Sequence, residues 1–339
     1  MNKYSFSFSS STVNYYFDAQ LEQLQKLVPA EQTIILTDDN IFARHKKKFK
    51  GWKTIVIKAG EAHKNQSTVD HIIEQLIETG ADRKTTLIGI GGGVITDITG
   101  YVAGIFLRGI SFGFVPTSIL AMVDAAVGGK NGVDVGLYKN MVGLIRQPAF
   151  ILFDYSFLKT LPREEWINGF AEIIKHAAIK DAAMFKILEE AKLSTFQKNS
   201  DDIAKLVKRN VLIKTKVVVN DEFESGERKL LNFGHTIGHA IENLYQIPHG
   251  HAISVGMGLA CRLSEKLIGF KEGDRVIRLL KQYGLPPQFD FDKERAFDIL
   301  LKDKKKAGQQ ISFILLNKIG KAEIKLISLE DMNNLIHQL

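Results

Sequence analysis

The sequence of 339 residues contains a single cysteine, which excludes a disulfide bond within the chain. Cys261 lies in an apolar stretch, GMGLACRL, so we expect its thiol to be buried. No uncharged apolar run is long enough to cross a membrane. The first ten residues, MNKYSFSFSS, lack the apolar segment of a secretory signal peptide. These absences favour a cytoplasmic protein with no membrane partner.

Acidic residues are in the minority, with 38 Asp and Glu against 45 Lys and Arg, and the net charge is +7. Basic runs occur at residues 45–50 (HKKKFK) and 302–306 (KDKKK). Neither run has interleaved aromatic residues or a recognised nucleic-acid-binding motif. We interpret the first run as a solvated face and predict no nucleic-acid partner. The positive balance also suits a small anionic substrate.

Four of the nine histidines lie between residues 228 and 251. His235 and His239 are four residues apart in an apolar-periodic run, so on a helix they share one face. His249 and His251 follow shortly afterwards. A single histidine on a helix is usually an ordinary core or surface residue, but a cluster of neutral imidazoles suits a divalent ion such as zinc.

A catalytic zinc usually keeps three protein ligands, so two histidines need a further partner. Glu172 lies within an apolar helical run, GFAEIIKHAAI, where a carboxylate is costly to bury unless it is paired or bound to a metal. Lys175 is three residues further along, so a buried ion pair is the alternative explanation of Glu172. His176 is four residues from Glu172, but ordinary packing explains it as readily as ligation.

The N-terminal half alternates strand and helix patterns, which predicts a parallel sheet. Gly91, Gly92 and Gly93 follow a strand and open a helix, as in sites that hold a phosphate at a helix N-terminus. The triplet departs from G-x-G-x-x-G, so a structural turn is the alternative. Asp97, one turn later, could meet a ribose hydroxyl or cap the helix. The predicted strands are 33–37, 54–58, 85–90 and 111–115, and the predicted helices are 67–79 and 94–106.

The pattern changes after residue 154, and from residue 162 to residue 301 it is almost entirely helical. We therefore place a domain boundary near residues 159–162. Residues 311–328 predict a late pair of strands, and a terminal helix follows. The fold class expected from these patterns is an α/β domain followed by a mostly α-helical domain.

Four long motifs occur in the order found in 3-dehydroquinate synthases: GGGVITDITGYVAGIFLRG, PTSILAMVDAAVGGKNGVD, GFAEIIKHAAI and LNFGHTIGHAIE. The resemblance covers nearly the whole chain. It implies a dehydroquinate synthase-like fold, with a Rossmann-like NAD-binding domain (1–160) and a helical metal- and substrate-binding domain (161–339). It also implies a homodimeric carbon–oxygen lyase of the shikimate pathway. Such an enzyme converts 3-deoxy-D-arabino-heptulosonate 7-phosphate (DAHP) to 3-dehydroquinate and phosphate, using catalytic NAD⁺ and Zn²⁺ or Co²⁺.

The resemblance also implies roles for individual residues of this sequence. The metal ligands would be Glu172, His235 and His249. The NAD site would use Asp38, Asn40, Glu61, Lys64, Gly92, Gly93, Val94, Asp97, Thr117, Ser118, Lys139, Phe157 and Thr160. Substrate groups would be Arg108 (from the neighbouring subunit), Asp124, Lys130, Asn140, Lys175, Lys214, Glu224, Arg228, Asn232, His239 and either Lys304 or Lys305.

Three positions depart from the motifs usual in that family: His251 replaces a glutamate, Asn131 a threonine and Thr96 a glycine. We expect His249 to be the ligand and His251 to be a neighbouring group. Two other functions fit the same general features, namely another sugar phosphate cyclase and an NAD-dependent polyol dehydrogenase. The many cationic residues argue against the dehydrogenase, and Lys214 with Arg228 argues for a substrate that carries a carboxylate.

Overall fold

The computed structural model describes residues 1–136, 138–304 and 310–338, with the backbone alone for residues 302–304. The β-strands are β1 (Asn2–Ser7), β2 (Thr12–Phe17), β3 (Thr33–Asp38), β4 (Lys53–Ile57), β5 (Thr86–Gly91), β6 (Ser111–Pro116), β7 (Lys130–Val135), β8 (Tyr138–Ile145), β9 (Phe150–Leu152), β10 (Gln310–Lys318) and β11 (Lys321–Ser328). The α-helices are α1 (Asp39–His45), α2 (Gln66–Glu78), α3 (Gly93–Ile105), α4 (Arg163–Lys180), α5 (Ala182–Glu190), α6 (Leu193–Lys198), α7 (Ser200–Asn220), α8 (His235–Tyr245), α9 (His249–Ile268), α10 (Gly273–Gln282), α11 (Lys293–Lys304) and α12 (Leu329–His337).

The chain forms two compact units, which we call unit 1 (Met1–Glu165 with Ser200–Glu222) and unit 2 (Trp166–Asn199 with Phe223–Leu339). The predicted ranges 1–160 and 161–339 differ from these units at α7, which belongs to unit 1 by its contacts. The physical reason lies in the side chains of α7, since Lys214 hydrogen-bonds to Asp124 and Thr215 to Tyr15. Neither partner is close to α7 in sequence, so helical periodicity could not reveal the grouping.

Unit 1 is built on a seven-stranded sheet with the order β1-β2-β9-β6-β5-β3-β4. Only the β1–β2 pair is antiparallel. The central strands β3 and β5 are buried along their whole length, as expected of parallel strands covered on both faces. The four predicted strands and the two predicted helices of this half are confirmed.

The hydrophobic core of unit 1 includes side chains from β5, the strand that leads into the glycine triplet, and from its neighbours β3 and β6. Ile35, Ile88, Ile90 and Val115 from neighbouring strands pack in one buried cluster. This burial fixes the ends of β5 and β6 relative to each other. The Thr117 N–H donates to the Gly91 carbonyl (2.9 Å) and ties the two strand ends together.

Two antiparallel pairs of unit 1, β1–β2 and β7–β8, were not predicted. In the second pair Gly132 lies opposite Gly143. A β-carbon on either glycine would come within 2.6 Å of a backbone carbonyl oxygen of the partner strand. The pairing therefore depends on two residues that intrinsic strand propensity disfavours, which explains why the hairpin was missed.

Unit 2 is mainly helical and also contains the predicted late strand pair, β10–β11, followed by α12. Its helices α8 and α9 pack with almost no side chain between them. A β-carbon on Gly256 of α9 would lie 1.8 Å from the carbonyl oxygen of Gly234, the residue before α8. One on Gly238 would lie 3.0 Å from the carbonyl oxygen of Ala252. Because glycine permits this approach, the start of α8 lies directly against residues 252–256 of α9.

None of the helices within the described residues combines the length and the apolar character that a membrane crossing requires. Cys261 is buried in α9, as predicted.

Candidate metal and nucleotide sites

Three side chains of unit 2 converge as a candidate metal group, which we define as Glu172, His235 and His249. One ligand atom from each lies within 4.8 Å of the other two. The Glu172 Oε1 atom is 3.5 Å from His235 Nε2 and 3.4 Å from His249 Nε2. Glu172 comes from the middle of α4, whereas the histidines begin α8 and α9. One carboxylate with two imidazoles is a donor set that suits zinc or cobalt.

Both imidazoles of the candidate metal group have their other ring nitrogen occupied. His235 Nδ1 donates to the carbonyl oxygen of Phe233 (3.2 Å), and His249 Nδ1 donates to Glu242 Oε2 (3.1 Å). In its neutral form an imidazole carries one N–H, so each Nε2 would then have its lone pair on the side that faces Glu172. This is the tautomer that a metal ligand requires.

The two histidines of the candidate metal group have pKa values shifted in opposite directions. Burial, with the nearby Lys175 cation, lowers the pKa of His235 well below its usual value. Burial also lowers the pKa of His249, but hydrogen bonds to Glu172 and Glu242 outweigh it and raise that pKa to about 10. The two buried carboxylates thus favour the protonated form of His249.

Glu172 and Lys175 form a buried ion pair, which the sequence suggested as the alternative to metal binding by Glu172. Both side chains are almost completely buried, and the Lys175 ammonium contacts the Glu172 Oε2 atom. The histidines face the other carboxylate oxygen, Oε1. The pair and the candidate metal group are thus compatible, because each uses a different oxygen of one carboxylate.

Two family models match consecutive parts of this chain. The family model described as 3-dehydroquinate synthase N-terminal matches residues 54–168, and the model described as 3-dehydroquinate synthase C-terminal matches residues 169–306. The chain belongs to the 3-dehydroquinate synthase family. The boundary between the two matches falls inside α4.

Individual relatives agree with the family models. The 3-dehydroquinate synthase of Pyrococcus abyssi is 43% identical over 280 residues, covering 82% of this chain and 81% of the relative. That of Campylobacter curvus is 40% identical over 323 residues, covering 92% of both. Among solved structures, a 2-deoxy-scyllo-inosose synthase complexed with carbaglucose-6-phosphate, NAD⁺ and Co²⁺ is 25% identical, covers 99% of both chains and has a TM-score of 0.86. The fold implied by the family resemblance is confirmed.

The glycine triplet of this 3-dehydroquinate synthase family member lies where β5 ends and α3 begins. A β-carbon on Gly91 would lie 2.5 Å from Ile95, so this glycine is required for packing. One on Gly92 would meet nothing closer than Ser118 Oγ at 3.6 Å. Gly92 therefore leaves open space at the start of α3, where Gly93 and Val94 present backbone N–H groups.

Asp97 neither caps its helix nor faces open solvent. Its Oδ2 atom is 2.5 Å from the Lys64 ammonium, which also donates to Asn140 Oδ1 at 2.6 Å. Lys64 is buried, which lowers its pKa, but Asp97 and Glu61 outweigh burial and raise the pKa to about 12. A second lysine, Lys139, contacts Glu61 at 3.0 Å. Five residues predicted for NAD or substrate thus form one charged network in unit 1.

Six other residues predicted for the NAD site lie at three places in unit 1. Asp38 caps α1 by accepting the Ile41 N–H (2.9 Å), and Asn40 lies in the first turn of that helix. Phe157 and Thr160 lie in a 3-10 helix that spans residues 155–160. Thr117 and Ser118 follow β6 beside the glycine triplet, and both are buried.

The basic run at residues 45–50 is not simply a solvated face, and that interpretation was wrong for two of its members. His45 packs edge-on against Phe157 and hydrogen-bonds to Thr160 Oγ1 at 2.7 Å. Lys48 pairs at 3.0 Å with Asp154, which is buried. These contacts hold the 155–160 segment in place, and the run's spacing gave no signal of them.

Predicted substrate residues of unit 1 differ in their burial. Lys214 on α7 donates to the backbone carbonyl and to Oδ1 of Asp124, both at 2.7 Å. Lys130 begins β7 and is exposed. Arg108 is exposed and has a backbone φ of 66°. Asn140, with φ 53°, is held by Asp134 Oδ1, which accepts its N–H at 2.7 Å.

Most predicted substrate residues of unit 2 lie within about 11 residues of His235 in sequence. Arg228 is buried in a short 3-10 helix that ends at Asn232. The Asn232 amide donates to Glu224 Oε1 at 2.5 Å. The ring of His239 lies 5.0 Å from that of His235, centroid to centroid. Lys305 lies outside the described residues, and Lys304 is described by its backbone alone, as the last residue of α11.

At two of the three positions that depart from the family motifs, the side chain makes hydrogen bonds to backbone carbonyl groups. Asn131 is buried and its amide donates to the carbonyl oxygens of Gly129 (2.7 Å) and Arg146 (2.9 Å). Thr96 is buried in α3 and its hydroxyl donates to the Gly93 carbonyl at 2.9 Å. His251 is partly buried in the first turn of α9, and burial lowers its pKa.

Three residues near the predicted sites were missed by sequence reasoning. Glu242 accepts from His249, and Asn168 on α4 accepts the N–H of Gly250. Asp134 holds Asn140, as described above. The signal for Glu242 was present, since an acid seven residues after His235 falls on the same helical face.

Proposed function

We propose that this chain converts DAHP to 3-dehydroquinate and inorganic phosphate, with catalytic NAD⁺ bound by unit 1 and a divalent metal, Zn²⁺ or Co²⁺, bound by unit 2. The observation that carries the proposal is the candidate metal group within a chain of the 3-dehydroquinate synthase family. The reaction is a phosphate-eliminating cyclisation and belongs to the carbon–oxygen lyases.

The residues fit a divalent ion by their chemistry. Glu172, His235 and His249 offer one oxygen and two nitrogens, and both imidazoles keep their Nε2 lone pairs for a metal. Three protein ligands leave a coordination position for substrate, as catalytic sites require. When bound, the ion would polarise substrate hydroxyl oxygens and favour their deprotonation. Lys175 neutralises the remaining oxygen of Glu172 and keeps that carboxylate in place.

The residues at the start of α3 fit a dinucleotide. The open space at Gly92 admits a pyrophosphate close to the backbone N–H groups of Gly93 and Val94. Asp97 and Lys64 form the charged network beside it. When bound, NAD⁺ would accept a hydride from a substrate carbon and return it in the same turnover, so no net oxidation results.

The cations of both units match a substrate with a phosphate and a carboxylate. Lys175 and Arg228 of unit 2 are buried side chains that carry a positive charge. Arginine binds a carboxylate with two parallel hydrogen bonds, whereas lysine acts on phosphate as a point charge. A polyol dehydrogenase has no use for so many anion-binding residues. We propose that Lys130, Lys214 and His239 also bind the anionic groups of the substrate.

The decisive experiment follows phosphate release from DAHP while recording absorbance at 340 nm, with and without a chelator. The proposal requires phosphate release that the chelator abolishes and added Co²⁺ restores, with no accumulation of NADH. Stoichiometric NADH production would favour the dehydrogenase. Activity on a phosphorylated hexose in place of DAHP would favour another cyclase. The second outcome deserves its own assay because the 2-deoxy-scyllo-inosose synthase shares the fold.

We also propose that the working unit is a homodimer in which Arg108 serves the neighbouring subunit. Leu107 and Arg108 are consecutive non-glycine residues with positive φ (51° and 66°), a rare conformation that is concentrated at functional sites. Apolar side chains exposed at the end of α3 and on β8 support an interface there. They are Ile105, Leu107, Met141, Val142 and Ile145.

Mixing two inactive variants, Arg108→Ala and Glu172→Ala, tests this shared arrangement. Free exchange makes half of the dimers hybrids, and each hybrid holds one site with both groups, so about a quarter of wild-type activity should return. Complete inactivity after verified subunit exchange would show that Arg108 acts within its own subunit. The cytoplasmic location and the lack of a nucleic-acid partner stay predictions.

A further inference from the structure

Glu242 is a carboxylate beside the candidate metal group to which no role has been given. It lies on α8, seven residues after His235, and its side chain is largely buried. Its Oε2 atom accepts the Nδ1–H of His249 at 3.1 Å. A buried carboxylate needs partners, and this one faces the ring nitrogen of His249 that is remote from Glu172.

The backbone of His249 is already fixed by other contacts. The next residue, Gly250, donates its N–H to the side chain of Asn168 on α4. A β-carbon on Gly250 would lie 2.3 Å from the carbonyl oxygen of Asn168, so α9 begins in direct contact with α4. What remains undetermined is the rotation and the tautomer of the His249 ring. Only a partner on Nδ1 can set both of them.

The two imidazoles of the metal group are oriented by different kinds of acceptor. His235 donates to a backbone carbonyl, that of Phe233, which no substitution removes. His249 donates to a side chain, that of Glu242, which a substitution does remove. The chain therefore offers a built-in comparison, because only one of the two imidazoles can lose its acceptor by mutation.

We propose that Glu242 is a positioning residue that holds His249 in its Nδ1–H tautomer, with Nε2 directed at the metal. This inference rests on the metal-binding part of the proposed function. Glu242 touches neither the ion nor the substrate and acts only through His249. A charged acceptor on the distant nitrogen also makes the ligating nitrogen a better donor. The competing arrangement is a second ion held by His239, Glu242 and His249, whose ligand atoms also lie within 4.8 Å of one another.

The test compares Glu242→Gln and Glu242→Leu with the wild-type protein and with Glu190→Gln, an exposed helical glutamate of unit 2 that serves as the control. The Co²⁺ dissociation constant and stoichiometry are measured by competition with a chromophoric chelator. A nitrogen-15 spectrum of the Zn²⁺-loaded protein reports the Nδ1–H of His249. Thermal unfolding of each metal-free protein reports any general damage.

We expect one Co²⁺ per chain in the wild type and a dissociation constant about 10–100-fold weaker in Glu242→Leu. The Nδ1–H signal of His249 should lose its protection from solvent exchange in that variant. Glu242→Gln keeps an acceptor oxygen, so it should recover most of the affinity, and it also serves if Glu242→Leu does not fold. Glu190→Gln should match the wild type.

Three results would overturn the inference. One is unchanged Co²⁺ affinity in both Glu242 variants, with a protected Nδ1–H. Another is a stoichiometry of two in the wild type that falls to one in both variants, which would make Glu242 a ligand of a second ion. The third is a Glu242→Gln variant no better than Glu242→Leu. A wild-type protein that binds no Co²⁺ would instead refute the proposed metal site itself, so the two failures are distinguishable.

Discussion

The substitution Gly256→Ala should damage metal binding without touching any ligand. The added β-carbon would lie 1.8 Å from the carbonyl oxygen of Gly234, the residue before His235. A carbon and a carbonyl oxygen need about 3.3 Å, so α8 and α9 must separate by roughly 1.5 Å at this point. Metal–ligand distances tolerate only about 0.2 Å. We therefore expect Co²⁺ affinity to fall by at least about 100-fold, because one of three ligands is displaced.

The stability change is smaller and has two opposing parts. Overpacking costs about 1–3 kcal/mol, and alanine in a helix regains about 1 kcal/mol relative to glycine. The metal-free protein should thus lose at most about 2 kcal/mol of unfolding free energy, measured by urea denaturation.

Gly258→Ala is the matched control for this prediction. It makes the same change on the same helix, and its β-carbon would lie 2.1 Å from the carbonyl oxygen of Pro287. We expect a similar loss of unfolding free energy, with Co²⁺ affinity within about threefold of wild type, because the clash is with a segment that carries no ligand. Wild-type Co²⁺ affinity in Gly256→Ala would refute the reasoning. Equal weakening in both variants would show that general destabilisation is responsible.

Three further predictions concern single side chains. His249→Ala should bind essentially no metal while His251→Glu stays metallated and active, because it is the His249 ring that faces Glu172. Metal content of the purified variants decides, and the reverse pattern would make His251 the ligand. Metal binding at pH 7 should release about one proton, because the pKa of His249 is raised to about 10 and the ion displaces that proton. The apparent metal affinity should therefore weaken about tenfold for each pH unit below 10. Calorimetry in two buffers measures the number of protons released, and binding without proton release would contradict this prediction. The Cys261 thiol, with its pKa raised by burial, should react with a disulfide reagent only after unfolding; rapid reaction of the native protein would show that it is accessible.

Much of the fold could be predicted because parallel strands have a distinctive sequence. The runs that form β3 and β5 are short, apolar and rich in β-branched residues, and the structure buries them completely. The long helical pattern of the second half and the late strand pair were equally clear. The ligand set followed from residue chemistry together with family resemblance, and its members do converge.

What could not be predicted depends on contacts distant in sequence. The β7–β8 hairpin rests on the cross-strand pair Gly132 and Gly143, and single-sequence propensity counts each glycine against a strand. The 155–160 segment is held by His45 and Lys48, whose basic run is typical of a solvated surface. Glu242 is a different case, because its position on the same helical face as His235 was a usable signal that was overlooked.

Unit 1 consists of two separate segments of the chain, and this has a consequence for protein synthesis. Residues up to Glu165 leave the ribosome without α7, the helix that supplies partners to Tyr15 and Asp124. About 57 further residues must be translated before Glu222 completes the unit, which takes roughly 3 to 11 s at usual elongation rates. During this delay the parts of unit 1 that pack against the buried side of α7 are uncovered, and the first segment of unit 2 emerges before unit 1 is complete. A chain released at residue 160 should therefore aggregate, and one released at residue 222 should depend on chaperones for its unfinished second unit.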